Sequence, residues 1–215
     1  MKTIVAKLKD IYFHELGFQC TAVRDSCEKV FEYPPPPPGE RNFVIEPAKL
    51  HVAIGNSLTA AANVKKLLDD KRPRNKRTES AGAYELRTAR AQMLRAELGG
   101  VSLEEILNVS VRNSLEHFDE HLDKENIRLN GQLVPCVVLY NVGVSHIDNV
   151  VFDQGPTLHI RTYETTTRTF SNLGRSIHLG KVHDEAVAIL SRLIDTKLIP
   201  ADGTTGVMSF LDFRQ

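Results

Sequence analysis

Residues 102–125 read SLEEILNVSVRNSLEHFDEHLDKE, a segment whose apolar residues recur every three or four positions. Ser102 followed by Glu105 has the spacing of a capping box, which predicts a helix that begins at Leu103. One face of this helix would carry the apolar side chains of Leu103, Leu107, Val111, Leu115, Phe118 and Leu122. The segment therefore predicts a long amphipathic helix that packs its apolar face against other helices.

The stretch RNSLEH, Arg112 to His117, places a cation, an amide and an imidazole on this helix. Asn113 and His117 are four residues apart, so they share one helix face. The guanidinium of Arg112 can hold a phosphate through two parallel hydrogen bonds. An imidazole, with an ordinary pKa of about 6.5, can take or give a proton near neutral pH. These are the groups needed to cut a phosphodiester without a metal ion.

The pattern resembles the Arg-x(4–6)-His signature of the HEPN family (higher eukaryotes and prokaryotes nucleotide-binding), including the polar residue directly after the arginine. The run RTARAQMLRAELGG, a short link and then RNSLEHFDEHLDK are similar to prokaryotic HEPN-like proteins over about residues 80–125. The resemblance implies an antiparallel helical bundle and a metal-independent endoribonuclease of the defence or toxin kind. It also implies a homodimer with RNA as substrate, and leaves room for an antitoxin or another protein partner.

The resemblance implies a role for each of the three residues. His117 would deprotonate the 2′-hydroxyl or protonate the leaving oxygen, and Arg112 would stabilise the charge that builds on the phosphorane. Asn113 would orient the substrate or the imidazole. On an ideal helix, Arg112 lies about 140° around the axis and about 7.5 Å along it from His117. Because the two side chains diverge within one chain, two copies of the motif would have to meet across a dimer interface.

Two other interpretations of the motif stay open. Arg112 and Glu116 have the i, i+4 spacing of a simple ion pair, and His117 could hydrogen-bond a neighbouring helix. The alternative function is a non-catalytic HEPN-like helical dimer that binds a nucleotide, RNA or a protein partner.

A second candidate site is the basic segment KRPRNKR, whose composition predicts a surface loop. Its five cations are Lys71, Arg72, Arg74, Lys76 and Arg77. Together with the arginines of the following helix, they could contact an RNA backbone, which carries no sequence information. A solvated loop with no ligand is the alternative.

The rest of the chain predicts further helices and a region of strands. Helical periodicity covers about residues 3–32, 47–68, 79–98 and 184–197, and Pro34 to Pro38 predicts a stiff connector. Alternation and threonine richness predict strands after Asn130, including a hairpin that turns near Glu164 to Thr166. The sequence thus predicts a single, mainly α, HEPN-like domain over residues 1–215. It comprises a helical bundle (1–125), a small antiparallel β-hairpin or sheet (130–180) and a C-terminal helix (182–198).

Composition narrows the function classes. The chain has 215 residues with 27 basic and 27 acidic side chains, so any contact with nucleic acid must come from a local patch. Cys20 and Cys27 lie on one apolar helix stripe and Cys136 has no partner spacing, which favours reduced thiols and a cytoplasmic location. No leader, membrane span, metal-ligand motif or cofactor motif is evident, so we expect no metal, no cofactor and no membrane partner.

Overall fold

A computed structural model of the chain describes residues 8–35, 43–45, 47–131, 135–145 and 156–201. These residues form six helices: α1 (Lys9–Phe31), α2 (Ala48–Leu68), α3 (Ala81–Leu98), α4 (Ser110–Glu116), α5 (Phe118–Asn130) and α6 (Leu179–Asp195). They also form five strands: β1 (Phe43–Ile45), β2 (Val137–Val144), β3 (Thr157–Glu164), β4 (Thr169–Asn172) and β5 (Arg175–His178). The prediction of a mainly helical chain with a small sheet before the last helix is confirmed.

The helical core is built around α1, which packs against α2 and α6. The residues of its inner stripe are fully buried at three- and four-residue spacing: Phe13, Leu16, Cys20, Val23, Cys27 and Val30. Each apolar side chain buried in this way contributes about 1.5–3 kcal/mol. Both core cysteines are free thiols, and burial raises the pKa of Cys27 to about 12. They therefore serve as small apolar side chains, as the sequence predicted, and are poor nucleophiles.

The sheet has the strand order β1-β2-β3-β4-β5. The predicted hairpin is present as β3 and β4, with its turn at residues 165–168. The prediction of an antiparallel sheet confined to residues 130–180 is wrong in two respects. Strands β2 and β3 pair in parallel, and β1 joins the edge of the sheet from the segment between α1 and α2. Alternation marks a strand, but it does not specify the direction in which two strands pair.

The single helix predicted from Leu103 is also wrong, because residues 102–109 are held by α6 instead of by a capping box. The carboxylate of Glu185, buried on α6, accepts backbone N–H groups from Glu104, Glu105 and Ile106 at 2.7–3.2 Å. Ser102 Oγ donates to the same carboxylate at 2.9 Å. Glu185 therefore satisfies the backbone donors that the predicted capping box would have served, and the carboxylate of Glu105 accepts the backbone N–H of His178 at 2.7 Å. The regular helix α4 begins only at Ser110.

A break at His117 separates α4 from α5. His117 has φ −107° and ψ 41°, outside the helical range, and the two helices end and begin on either side of it. Buried polar contacts hold α4 on the sheet: Asn172 Nδ2 on β4 donates to Ser114 Oγ at 2.9 Å. In contrast, no residue of α5 is fully buried, and its Ile127 is 74% exposed. The last residue of the predicted apolar stripe, Leu122, is therefore 36% exposed, because it lies beyond the break at His117.

None of the helices in the described part of the chain combines the length and apolar content that a membrane crossing requires. The proline tract was predicted to be a connector, but Pro36 to Pro38 lie outside the described residues. The segment after Ala201 also lies outside them.

Two half-buried histidines should make the stability of the fold depend on pH. Burial lowers the pKa of His51, with a further contribution from Arg161, and burial also lowers the pKa of His159. The unfolded chain then binds protons more readily than the folded one, so stability present above pH 6.5 is lost as pH falls. We expect a lower urea midpoint at pH 5.5 than at pH 7.5. In a His51→Gln, His159→Gln double variant, the urea midpoint should fall less between pH 7.5 and pH 5.5 than it does in the parent. An equal fall in both proteins would contradict the assignment of the pH dependence to these two histidines.

Candidate functional site

The C-terminal end of α2 is fixed by three arginines of α3. Arg87 Nη1 donates to the carbonyl of Asp69 at 3.3 Å, and Arg90 Nη2 donates to the carbonyl of Lys66 at 2.9 Å. Arg95 Nε donates to the carbonyl of Leu68 at 2.6 Å. These carbonyls are the free acceptors and the negative end of the helix, where cations are favoured. The arginines of α3 that were expected to contact an RNA backbone are thus engaged in holding α2.

Arg87 also positions the start of the basic loop. Its Nε and Nη2 donate to the two carboxylate oxygens of Glu79 at 2.9 and 3.2 Å, and this hydrogen bonding lowers the pKa of Glu79. Nη2 of the same guanidinium donates to the carbonyl of Arg72 at 3.0 Å. Arg74 Nε donates to the carbonyl of Glu79 at 3.0 Å. The loop therefore folds back on α3, and its first arginine lies beside the end of α2.

A cavity of about 160 Å³ opens between α2, the start of α4 and this loop. We call it the basic pocket; its walls are Ala62, Lys65, Lys66, Asp69, Arg72, Arg87, Val109, Arg112 and Asn113. Five of these side chains are cations and one is a carboxylate. Two of the five form ion pairs, Arg87 with Glu79 and Arg112 with Glu116. Lys65, Lys66 and Arg72 form no direct ion pair among the described residues, so the pocket has an excess of positive charge.

Arg112 reaches the basic pocket with part of its hydrogen-bonding capacity unused. Its side chain is 22% exposed, and Nη1 donates to Glu116 Oε2 in the i, i+4 pair that the sequence allowed. Its Nε is buried and has no acceptor among the described residues. An unpaired buried donor costs about 1–3 kcal/mol, more when it belongs to a charged group. A ligand oxygen that came within hydrogen-bonding distance of this atom would recover the cost.

His117 lies outside the basic pocket. It follows Asn113 by one turn, since its backbone N–H donates to the Asn113 carbonyl at 3.1 Å. The imidazole is 59% exposed, and its Nδ1 lies 3.5 Å from Glu120 Oε1. The structure thus joins two of the three predicted catalytic residues in one pocket, and it places the third on the adjacent surface at the helix break.

The predicted RNA-binding loop is divided in the same way. Arg72 lines the basic pocket, whereas Lys71, Arg74, Lys76 and Arg77 are exposed and do not line it. The sequence reasoning missed Lys65 and Lys66. Their signal was a pair of lysines in the last turn of a helix, but such pairs commonly serve only to complement the helix dipole.

The described residues contain no group of three or more histidine, cysteine, aspartate or glutamate side chains that could hold a metal ion. Comparisons of the chain with protein-family models, with curated proteins and with solved structures found no match. The resemblance to the HEPN family stays a prediction, and the site has to be interpreted from its own geometry.

Proposed function

We propose that the protein binds RNA by holding a backbone phosphate in the basic pocket. The observation that carries this proposal is the convergence of five cations and one amide on a cavity of about 160 Å³. Pockets for drug-sized ligands range from about 300 to 1,000 Å³, so this cavity suits a phosphate group better than a whole nucleotide. The unpaired Nε of Arg112 supports the same ligand, because phosphate oxygens are strong acceptors for guanidinium groups.

The surroundings of the pocket favour a polymer over a free anion. Four further cations of the basic loop, Lys71, Arg74, Lys76 and Arg77, are exposed next to Arg72 in the chain. A polyanion can contact these cations while one of its phosphates occupies the pocket, and each contact releases counterions. RNA is proposed over DNA because of the resemblance of the RNSLEH segment to the HEPN family.

A second candidate function, cleavage of the bound RNA, is favoured by the exposure of His117 and by its pairing with Glu120 at 3.5 Å. A carboxylate beside an imidazole can orient the ring. In this reaction the imidazole takes the proton of the ribose 2′-hydroxyl while the 2′-oxygen bonds to phosphorus. The bond from phosphorus to the 5′-oxygen breaks, that oxygen takes a proton from water, and the imidazolium returns its proton to the hydroxide that is left. The products are a 2′,3′-cyclic phosphate and a 5′-hydroxyl.

Cleavage at the phosphate in the basic pocket needs His117 to reach that phosphate. Within one chain, the ring lies beyond the pocket walls. A homodimer in which one copy supplies Arg112 and the other supplies His117 would bring the two groups together. The cleavage proposal therefore includes a functional pairing of two copies.

One experiment separates binding from cleavage. Mixed RNA is incubated with chelator and with the parent, the Arg112→Ala variant, the His117→Ala variant, or an equal mixture of the two variants. If the protein cleaves RNA, the parent should form products even with chelator present. Each single variant should lose at least about 100-fold in cleavage activity, and the mixture should recover part of that activity. Arg128→Ala on α5 is a control that should retain activity.

Two further outcomes are informative. Binding of RNA by the parent without any products would support the non-catalytic alternative. Failure of the parent to bind RNA at low salt would contradict both candidate functions.

A further inference from the structure

A second cavity, of about 350 Å³, lies at the other end of α2. We call it the sheet pocket; its walls include His51, Gly55, Leu115, Asn141, Arg161 and Phe170, contributed by α2, α4 and strands β2 to β4. Its volume falls in the usual range of about 300–1,000 Å³ for small-molecule sites.

The walls of the sheet pocket carry buried polar atoms that nothing pairs. Both ring nitrogens of His51 and the Oδ1 atom of Asn141 are buried without a hydrogen-bond partner in the described part of the chain. Buried polar side chains are nearly always paired, and each unpaired group costs about 1–3 kcal/mol. A ligand with its own hydrogen-bond donors and acceptors could pair these three atoms, which lie in residues that line one cavity.

The backbone behind the sheet pocket is left-handed at two facing positions. Asn141 and Arg161 both have left-handed conformations, with φ of 53° and 52°. The parallel ladder pairs Tyr140 with Ile160 and Val142 with Thr162, and it omits the two residues between. Instead, the backbone N–H of Arg161 donates to Asn172 Oδ1 at 3.3 Å. The left-handed conformation is costly for Arg161, whereas asparagine adopts it more readily, and such conformations cluster at binding sites.

The donors and acceptors in the walls of the sheet pocket limit the chemical class of its ligand. Burial and Arg161 lower the pKa of His51, which favours the neutral ring, and a neutral ring offers one donor and one acceptor. The Asn141 side chain adds a carbonyl acceptor. A ligand edge that presents an amine beside a ring nitrogen satisfies this set. The edge of adenine is of this kind, and asparagine is the side chain that commonly pairs with it.

The two cavities lie along one face of α2. Ala48 and Gly55 line the sheet pocket, and Ala62 and Asp69 line the basic pocket, each seven residues from the next. Seven residues are close to two helical turns, so these positions follow one stripe. His51 and Lys65 are fourteen positions apart, which places the two sites about 21 Å apart along the axis. α4 lines both cavities, through Leu115 in one and Arg112 in the other.

We propose that the sheet pocket binds an unpaired adenine base of the RNA strand whose phosphate occupies the basic pocket. This inference rests on the proposed function and adds base selectivity to it. Single-stranded RNA is recognised in this way elsewhere, by unstacked bases that lie against aromatic rings and are hydrogen-bonded on their edges. The Phe170 ring lies 6.4 Å from the ring of His51 and is 1% exposed, so it forms part of the closed apolar floor of the sheet pocket.

The test measures the anisotropy of labelled 12-nucleotide oligoadenylate, oligocytidylate and oligouridylate with the parent protein. We expect oligoadenylate to bind about tenfold more tightly than the other two. His51→Leu and Gly55→Leu should each remove this preference and leave the affinity for oligouridylate unchanged. Gly55→Leu fills the cavity without a clash at its Cβ, since that atom would have nothing within 4 Å. Thr59→Leu, on the exposed side of α2, is the matched control and should keep the preference.

The outcomes distinguish this inference from the proposed function. Equal affinity for the three oligonucleotides, or a preference for cytosine or uracil, would contradict adenine binding in the sheet pocket. It would leave the proposal of phosphate binding in the basic pocket unaffected. A preference that survives in Gly55→Leu also overturns it. If none of the three oligonucleotides binds, the proposed function fails and the adenine site fails with it.

Discussion

Replacing Glu185 with alanine is expected to lower the free energy of unfolding by about 3 kcal/mol. The carboxylate accepts from three backbone N–H groups and from Ser102 Oγ, and its residue is only 9% exposed. In the alanine variant, water would have to satisfy these donors, although the segment that carries them packs against α6. Hydrogen bonds to charged groups contribute about 1.5–3 kcal/mol each, but partial hydration reduces the total loss.

Urea unfolding of the parent, Glu185→Ala and Glu185→Gln measures this effect. Glutamine keeps one acceptor oxygen and should lie between the other two proteins. The matched control is Glu104→Ala, which removes an exposed carboxylate from the loop that Glu185 holds. We expect the control to change stability by less than about 0.5 kcal/mol. A loss below about 1 kcal/mol in Glu185→Ala would show that the carboxylate does not organise residues 102–109.

Replacing both Arg72 and Arg112 with alanine is expected to weaken RNA binding about 100-fold. The two guanidiniums line one small cavity from opposite segments, the basic loop and α4. Two charge-assisted contacts of about 1.5 kcal/mol each correspond to about 3 kcal/mol, or about two orders of magnitude in Kd. Because a phosphate contact is lost, the slope of log K against log salt should also become shallower by about 0.7.

The control for this prediction removes the same charge elsewhere. Lys29 and Lys181 are exposed, on α1 and α6, and line neither of the two pockets. A Lys29→Ala, Lys181→Ala variant should bind RNA within about threefold of the parent, because charges beyond a Debye length of about 8 Å are largely screened. Equal losses in the two double variants would mean that net charge, and not the basic pocket, determines the affinity.

The helices that the sequence predicted well are those whose own residues provide a complete apolar stripe. In α1, the stripe from Phe13 to Val30 is uninterrupted and buried along its length. Residues 102–109 show the opposite case. Their local pattern favours a helix that begins at Leu103, but Glu185, about 80 positions away, binds the backbone donors in place of the predicted capping box. A contact at this sequence separation has no local signal.

The site was predictable only in part, for the same reason. Arg112, Asn113 and Arg72 could be selected singly, because their chemistry and spacing suit a phosphate. Their meeting in one cavity depends on Arg87, which holds the carbonyls of Asp69 and Arg72. An ideal helix already separates His117 from Arg112, but it does not include the break at His117 that divides α4 from α5.

The most direct test of the account is to observe the arginine Nε–H signals during an RNA titration. The protein is labelled with nitrogen-15 arginine, the signals are assigned from Arg72→Lys and Arg112→Lys, and a 12-nucleotide single strand is added. We expect the Arg72 and Arg112 signals to shift together and to saturate with one binding constant, since both line the basic pocket. Shifts confined to Arg74 and Arg77, with the Arg112 signal unchanged at saturation, would contradict phosphate binding in the basic pocket.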